Sequence, residues 1–271
     1  MMMETSINVA AVQMVSSTCV DDNLKAAAHW IEAAAMRSAQ LVLLPEYFCI
    51  MGQRDTDKLA HKEEAGNGPL QEFLAAQARD HGIWLIGGTI PVAINDDERI
   101  LNTCFVYGPD GQQQARYDKI HLFGFDNGKE FFSEADTIQA GRNSPVTFQS
   151  PCGPTGLSIC YDLRFPELYR ALGSVNLIVV PSAFTYTTGK AHWEILLRAR
   201  AIENQCYVLA AAQGGKHENG RRTWGHSVLI DPWGVVIDQI PDGPGLACGV
   251  VDPDHIRQVR TSLPALTHRT L

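Results

Sequence analysis

Residues 156–167 place the strongest constraint on how this chain folds, because they join a buried strand to the start of a helix. Gly156 opens a short apolar run that stops at Cys160, and the polar stretch 161–167, which contains Pro166, follows at once. Apolar runs bounded by turn signals are typical of buried strands, and Pro favours the first turn of a helix. The pattern therefore predicts that a strand delivers the Cys160 side chain to the edge of a buried sheet.

Two other predicted strand ends also finish on ionisable side chains. Residues 41–44 run into Pro45 and Glu46, and residues 114–120 carry Lys119 near their end. A thiol can attack a carbonyl, a partly desolvated carboxylate can move its proton, and an ammonium can stabilise the resulting oxyanion together with the backbone N–H of Tyr161. The three strand ends thus suggest one active site.

Each of these residues also has a simpler interpretation, which the sequence leaves open. Cys160 could be a structural core cysteine, and Glu46 could be the first solvated residue after a strand. Lys119 could likewise be solvated. Asp162, Arg164 and Glu167 could form a surface cap with an ion pair, and we interpret Arg164 and Glu167 as bracing the turn after Cys160.

Composition indicates one large domain over residues 1–271 that does not bind nucleic acid or membranes. The chain is 45% hydrophobic and 19% charged, with a formal net charge of −8, so it can bury a substantial core. Its largest basic cluster, Lys216 with Arg221 and Arg222, is too small for a nucleic-acid footprint. It contains neither an apolar run of about eighteen residues nor a signal sequence at its start. Seven scattered cysteines predict reduced thiols, and hence a cytosolic protein.

Hydrophobic periodicity predicts alternating strands and helices mixed with hairpins. Helices are expected after a cap at Asp21 or Asp22 and over three further ranges: 69–79 with Gly82 as a stop, 191–204 and 253–261. Strands are expected over residues 7–14, 41–44, 83–90, 101–107, 114–120, 177–180, 206–212, 227–230 and 235–240. This mixture favours an α/β fold with mixed sheets over a purely parallel one.

Several other kinds of site lack sequence support. Zinc-binding HExxH and CxxC patterns, nucleotide-binding glycine loops and the Gly-x-Ser-x-Gly motif are absent. The sequence therefore predicts no metal and no nucleotide cofactor. His121, His192 and His226 suit either a Cys–His pair or hydrogen-bonding core positions, and we expect the latter.

Taken together, the three segments resemble the nitrilase superfamily of carbon–nitrogen hydrolases. Its Glu–Lys–Cys triad matches Glu46 in Leu-Leu-Pro-Glu-Tyr, Lys119 in Tyr-Asp-Lys-Ile-His and Cys160 in Ile-Cys-Tyr-Asp-Leu-Arg-Phe-Pro-Glu, and its second glutamate matches Glu134. The resemblance covers nearly the whole chain. It implies a four-layer αββα sandwich with two mixed β-sheets, a thioester mechanism that needs no cofactor, and a homodimer or larger homo-oligomer.

A narrower resemblance concerns residues 189–208, 224–227 and 231–234, which are similar to the branch that contains deaminated-glutathione amidase and ω-amidase. It implies hydrolysis of deaminated glutathione to 2-oxoglutarate and cysteinylglycine. Action on 2-oxoglutaramate and a non-catalytic, small-molecule-binding role are the alternatives. Because the first of these substrates carries a carboxylate at each end, we expect at least one of Lys216, Arg221 and Arg222 to contact the end far from Cys160, although a solvated loop would also explain them.

Overall fold

The computed structural model describes residues 5–270. In chain order its strands and helices are β1 (Ile7–Gln13), α1 (Val20–Met36), β2 (Leu41–Leu43), α2 (Pro69–His81), β3 (Trp84–Ile86), β4 (Ile90–Ile94), β5 (Asp97–Tyr107), β6 (Gln113–Asp118), β7 (Gly124–Asp126), β8 (Phe131–Ser133), β9 (Val146–Ser150), β10 (Gly153–Leu157), α3 (Pro166–Ala171), β11 (Leu177–Ser182), α4 (Tyr186–Asn204), β12 (Tyr207–Ala212), β13 (Gly214–Lys216), β14 (Arg222–Trp224), β15 (Ser227–Ile230), β16 (Val236–Ile240), β17 (Gly245–Val251) and α5 (Pro253–Ser262).

The strands form two mixed sheets and two short hairpins. The first sheet has the order β17-β1-β2-β3-β5-β4, with β6 also paired to β5, and the second has the order β16-β15-β12-β11-β10-β9. Strands β1, β2 and β3 are parallel to one another, as are β10, β11 and β12. The hairpins are β7–β8 and β13–β14.

The two sheets pack against each other and each is covered by helices, which confirms the predicted αββα sandwich. Successive residues of a strand point to opposite faces of a sheet. In β1, Val9 and Ala11 pack into the core shared with the second sheet, whereas Ala10 and Val12 pack in a second core with α1 and α2. Helix α4 lies against β12 and β15 on the far side of the second sheet.

The strand predicted over residues 83–90 is instead two strands, β3 and β4, separated by a turn. Gly88 in this turn has φ +57, and a Cβ placed there would lie 2.1 Å from the carbonyl oxygen of Pro45. Only glycine permits both this backbone conformation and this approach. The break therefore lets the β3–β4 connection reach the residues that follow β2.

Two predicted helix starts are also wrong. Helix α1 begins at Val20 after Cys19, which provides no side-chain cap, and Asp21 and Asp22 lie in its first turn, where their charge favours the helix dipole. Helix α4 begins at Tyr186, five residues before the predicted start, because the Thr185 side chain accepts a hydrogen bond from the Thr188 N–H. Gly189 inside α4 is a packing residue, since a Cβ there would lie 2.2 Å from Cβ of Trp224.

The topology brings three strand ends to one edge of the sandwich. Strand β6 is antiparallel to β5, and β5 is antiparallel to β3, so β6 runs in the same direction as β2 and β3. The carboxyl ends of β2 and β6 therefore share one edge of the first sheet, and β10 of the second sheet ends beside them. Within residues 5–270, no helix has the length and apolar character needed to cross a bilayer.

Candidate active site

Glu46, Lys119, Glu134 and Cys160 come together at this edge, as the sequence predicts. Nζ of Lys119 lies 2.9 Å from Oε1 of Glu46 and 2.8 Å from Oε2 of Glu134. The Cys160 side chain lies close enough to the Glu46 carboxylate for the two groups to shift each other's pKa. Glu46, Glu134 and Cys160 line a cavity, and the fully buried Lys119 lies behind the two carboxylates.

Glu46 is fixed by contacts from several distant segments. Its carboxylate accepts a hydrogen bond from Nδ2 of Asn102 at 2.9 Å, and its backbone carbonyl accepts one from Nε2 of Gln213 at 3.1 Å. The next residue, Tyr47, has φ +55 and donates its N–H to the Thr89 hydroxyl at 2.9 Å. The carboxylate is therefore held with little freedom to rotate.

Lys119 and Glu134 are positioned by backbone as well as by their own ion pair. Lys119 follows β6 directly, and its N–H donates to the carbonyl of Asn102 at 2.9 Å. Glu134 opens a short 3₁₀ turn after the β7–β8 hairpin and accepts hydrogen bonds from the Phe123 N–H at 2.7 Å and the Tyr47 hydroxyl at 2.9 Å. Both carboxylate oxygens of Glu134 thus have donors in addition to Lys119.

Cys160 occupies the turn between β10 and α3. Its φ is +49, a left-handed conformation that is uncommon for a residue with a side chain. It begins a 3₁₀ turn, Cys160–Arg164, which precedes α3. Asp162 in this turn is fully buried. The surface-cap interpretation is therefore wrong for Asp162, whereas Glu167 is exposed in the first turn of α3.

The electrostatics of the site favour a protonated thiol beside a basic carboxylate. Burial raises the pKa of the Cys160 thiol well above 9.0, and the nearby Glu46 carboxylate raises it further. Burial also raises the pKa of Glu46 above 4.5, although Lys119 opposes this shift. Burial alone would lower the pKa of Lys119, but Glu134 and Glu46 raise it well above 10.5. The turn after Cys160 therefore does not produce the lowered thiol pKa that a helix start can cause.

The cavity beside these residues has a volume of about 350 Å³ and an aromatic, partly charged wall. Volumes of this order are typical of small-molecule sites. Three phenylalanines from the β7–β8 region and Phe184 supply much of its apolar surface. Arg164 also lines it, with its guanidinium 5.7 Å from the Tyr161 ring centroid and 5.5 Å from that of Phe184.

Only one of the three predicted loop cations, Arg221, lines the cavity. Its Nη1 lies 3.9 Å from Oδ1 of Asp55, and its guanidinium lies 5.2 Å from the Phe132 ring centroid. Lys216 and Arg222 are direct partners across the β13–β14 pair, are exposed, and do not line the cavity.

The three histidines are hydrogen-bonded or exposed, and none lines the cavity. Nδ1 of His121 lies 2.7 Å from Oδ1 of Asp162, and Nδ1 of His226 lies 2.9 Å from the carbonyl oxygen of Trp224. His192 is exposed beside Arg164 and is not the core residue we expected. Among residues 5–270, no three His, Cys, Asp or Glu side chains are grouped so that they could hold a metal ion.

Sequence reasoning missed Asn102 and Tyr47 as contacts of the two glutamates. Asn102 lies inside β5, where a buried polar residue is a warning of a specific partner. Tyr47 follows Glu46 directly, and its aromatic ring suggested only an apolar environment. Neither signal identifies a partner without the fold.

Comparisons with known proteins identify the family of the chain. The family model described as carbon–nitrogen hydrolase matches residues 8–261. The deaminated glutathione amidase of Synechocystis sp. is 41% identical over 266 residues, which cover 96% of this chain and 97% of that protein. Omega-amidase NIT2-A of Xenopus laevis is 37% identical over 264 residues, covering 96% of this chain and 94% of that protein.

A solved structure gives the same result. The crystal structure of the C. elegans NitFhit protein superposes with a TM-score of 0.90 at 38% identity and covers 99% of this chain, which spans 66% of the length of that worm chain. The family match spans nearly all of the sequence, and both relatives exceed one third identity over almost their full length. The chain therefore belongs to the carbon–nitrogen hydrolase family.

Proposed function

We propose that the protein is an amidase that hydrolyses a small linear amide through a thioester on Cys160. One observation carries the proposal: the Lys119 ammonium contacts both Glu46 and Glu134, and the Cys160 thiol and the Glu46 carboxylate line the same cavity. This places a nucleophile, a base and a cation within reach of one bound carbonyl group.

Acylation follows from the protonation states. Because burial raises the pKa of the Cys160 thiol and Glu46 lines the same cavity, Glu46 takes the proton as sulfur attacks the amide carbon. The ammonium of Lys119 contacts one oxygen of Glu46 and both oxygens of Glu134, and its positive charge stabilises the oxyanion together with the Tyr161 N–H. The C–N bond then breaks, and Glu46 returns the proton to the departing amine.

Deacylation reuses the same carboxylate. Glu46 removes a proton from water as the water oxygen attacks the thioester carbon, the C–S bond breaks, and the proton returns to sulfur. Glu134 acts by orienting Lys119, since both of its oxygens lie within 2.9 Å of Nζ. No step calls for a cofactor.

For the substrate we propose deaminated glutathione, which carries a carboxylate at each end. Two guanidinium groups line the cavity, Arg164 within the turn that begins at Cys160 and Arg221 on the loop between β13 and β14. Arginine binds carboxylates with two parallel hydrogen bonds. The name of the Synechocystis relative also supports this choice.

The experiment is to replace Arg221 by Gln and to measure kcat/KM on two substrates. We expect KM for deaminated glutathione to rise tenfold or more, about 1.4 kcal/mol. KM for 2-oxoglutaramate, which lacks the far carboxylate, should barely change. Lys216→Gln is the matched control, because it removes an exposed cation of the same loop that does not line the cavity. Equal losses on both substrates, or none on either, would exclude Arg221 as the contact.

A second candidate substrate is 2-oxoglutaramate, which one observation favours. Arg221 already has Asp55 as an ion-pair partner, so Arg164 alone would serve a substrate with one carboxylate. The Xenopus laevis relative is named an omega-amidase. A side-by-side comparison of kcat/KM for deaminated glutathione, 2-oxoglutaramate and a plain nitrile decides between them. A mass-spectrometric search for a thioester on Cys160 separates all of these activities from a non-catalytic binding role.

We also propose a homodimer or larger homo-oligomer in the cytosol. Five large apolar side chains on α4 and around the β15–β16 turn are 44–71% exposed, namely Ile195, Ile202, Trp233, Val235 and Ile237. Exposed apolar patches of this kind often mark interfaces. All seven cysteines are free thiols, which suits a reducing compartment. Sedimentation equilibrium checks the assembly, and a monomer at working concentration would contradict it.

A further inference from the structure

Asp162 collects four hydrogen bonds beneath the proposed active site. Its Oδ2 accepts from the Ile159 N–H at 2.9 Å and from the Tyr117 hydroxyl at 2.7 Å. Its Oδ1 accepts from the His121 N–H at 3.1 Å and lies 2.7 Å from Nδ1 of His121. The carboxylate is fully buried.

The donors come from both sheets, which makes the arrangement more than a local turn. Ile159 directly precedes Cys160 at the end of the second sheet. Tyr117 and His121 flank Lys119 by two residues on either side, at the end of β6 in the first sheet. The His121 ring also stacks on Phe165, with ring centroids 3.8 Å apart and planes at 7°. One buried carboxylate thus joins the turn that carries the thiol to the segment that carries the ammonium.

The backbone at Cys160 needs such support. A non-glycine residue at φ +49 is strained, and strained residues persist only where the surroundings over-determine them. The Ile159 N–H and the Asp162 carboxylate close the turn around Cys160 from both sides. Four donors to one carboxylate restrict its rotation in every direction.

We propose that Asp162 is a positioning residue that fixes the Cys160 sulfur relative to the Lys119 ammonium. Its carboxylate clamps the two segments, so that the thiol and the cation meet one substrate carbonyl at the same time. The proposal rests on the amidase function proposed above and assigns to it a residue that touches neither substrate nor sulfur. Small displacements of reacting groups lower rates far more than they lower binding.

The test removes the donors one at a time. Asp162→Asn would remove a buried charge as well, and a variant that failed to fold would give no information on positioning. Tyr117→Phe deletes only a hydroxyl, and His121→Phe keeps the stack on Phe165 but deletes the Nδ1 contact. In each variant we expect kcat to fall at least about tenfold while KM changes less than about twofold. The matched control is Tyr169→Phe, which deletes another fully buried hydroxyl, one that donates to the Ser158 side chain at 3.0 Å.

The comparison separates positioning from stability. Thermal unfolding should show similar losses for Tyr117→Phe and Tyr169→Phe, whereas only Tyr117→Phe should lose kcat. Equal kcat values in the two variants would overturn the proposal, and so would a loss confined to KM.

A further assay keeps the proposal independent of substrate identity. The rate at which iodoacetamide alkylates Cys160, followed by peptide mass spectrometry, should fall several-fold in Tyr117→Phe and His121→Phe but not in Tyr169→Phe. If the wild type turned over none of the amides, the proposed function would fail, yet this rate would still decide whether the clamp exists. Unchanged alkylation in both clamp variants would refute it.

Discussion

Replacing Lys119 by Met tests the electrostatic core of the site. The change keeps an unbranched side chain, shorter by one heavy atom, but removes an ammonium that lies 2.9 Å from Glu46 and 2.8 Å from Glu134. Lys119 is 0% exposed, and the side chains of Glu46 and Glu134 are 1% and 13% exposed, so solvent screens this group weakly. Two carboxylates would then face each other without a counter-charge.

The expected magnitudes differ for folding and for catalysis. Breaking a buried ion pair by removing one partner lowers the free energy of unfolding by about 3–5 kcal/mol. Losing one oxyanion donor lowers kcat by about 10²–10³-fold, or about 2.7–4 kcal/mol. Because Glu134 and Glu46 raise the pKa of Lys119 above its ordinary 10.5, its stabilising contribution is fully present below pH 10.5 and is lost only as the pH rises through the raised value. The variant should therefore be less stable and nearly inactive across the neutral range.

The double variant Lys119→Met/Glu134→Gln separates the two effects. Removing the second carboxylate relieves the repulsion, so the melting temperature should recover in part. Turnover should not recover, because the oxyanion still lacks its cation. Amine release measured well below each melting temperature provides kcat. A kcat for Lys119→Met within tenfold of the wild type, or restored turnover in the double variant, would refute the reasoning.

Two further predictions concern the nucleophile and the base. Cys160→Ala should abolish turnover and leave the fold intact, whereas Cys248→Ala should keep a near-normal rate, and substantial activity in Cys160→Ala would exclude the covalent mechanism. Because burial raises the pKa of Glu46 above 4.5 and the base must be ionised, kcat/KM should fall as the pH falls, with a midpoint above 4.5. Glu46→Gln should lower kcat at least as much as the loss of Lys119, and an unchanged kcat would remove Glu46 from the mechanism.

The sequence predicted the residues of the site better than it predicted their partners. Glu46 and Cys160 each follow an apolar run, Lys119 follows the mostly polar strand β6, and the structure brings all three together. Asn102 and Tyr117 look in sequence like ordinary members of strands. Their contacts with Glu46 and Asp162 join residues 56 and 45 positions apart, and no local pattern encodes such a distance.

The three predicted loop cations also have a role that the sequence leaves undecided. Lys216, Arg221 and Arg222 are all cations of one short segment, and the sequence offers no basis for choosing among them. Pairing of β13 with β14 sets Lys216 opposite Arg222, whereas Arg221 precedes the paired residues and lies at the cavity. The register of a strand pair, which follows from long-range hydrogen bonding, decides which cation reaches the cavity.

The sequence by itself determined most of the elements and which ionisable side chains stand at their ends. Hydrophobic runs, turn residues and the three ionisable strand ends follow from local physical preferences, which are readable over a few residues. Tertiary structure alone decided where the chain turns at Gly88 and how Asp162 is used. The turn requires glycine at position 88 because the carbonyl of Pro45 leaves no room for a Cβ. Asp162 is buried because donors from both sheets converge on it. These features depend on groups that become neighbours only after segments distant in the chain have packed together.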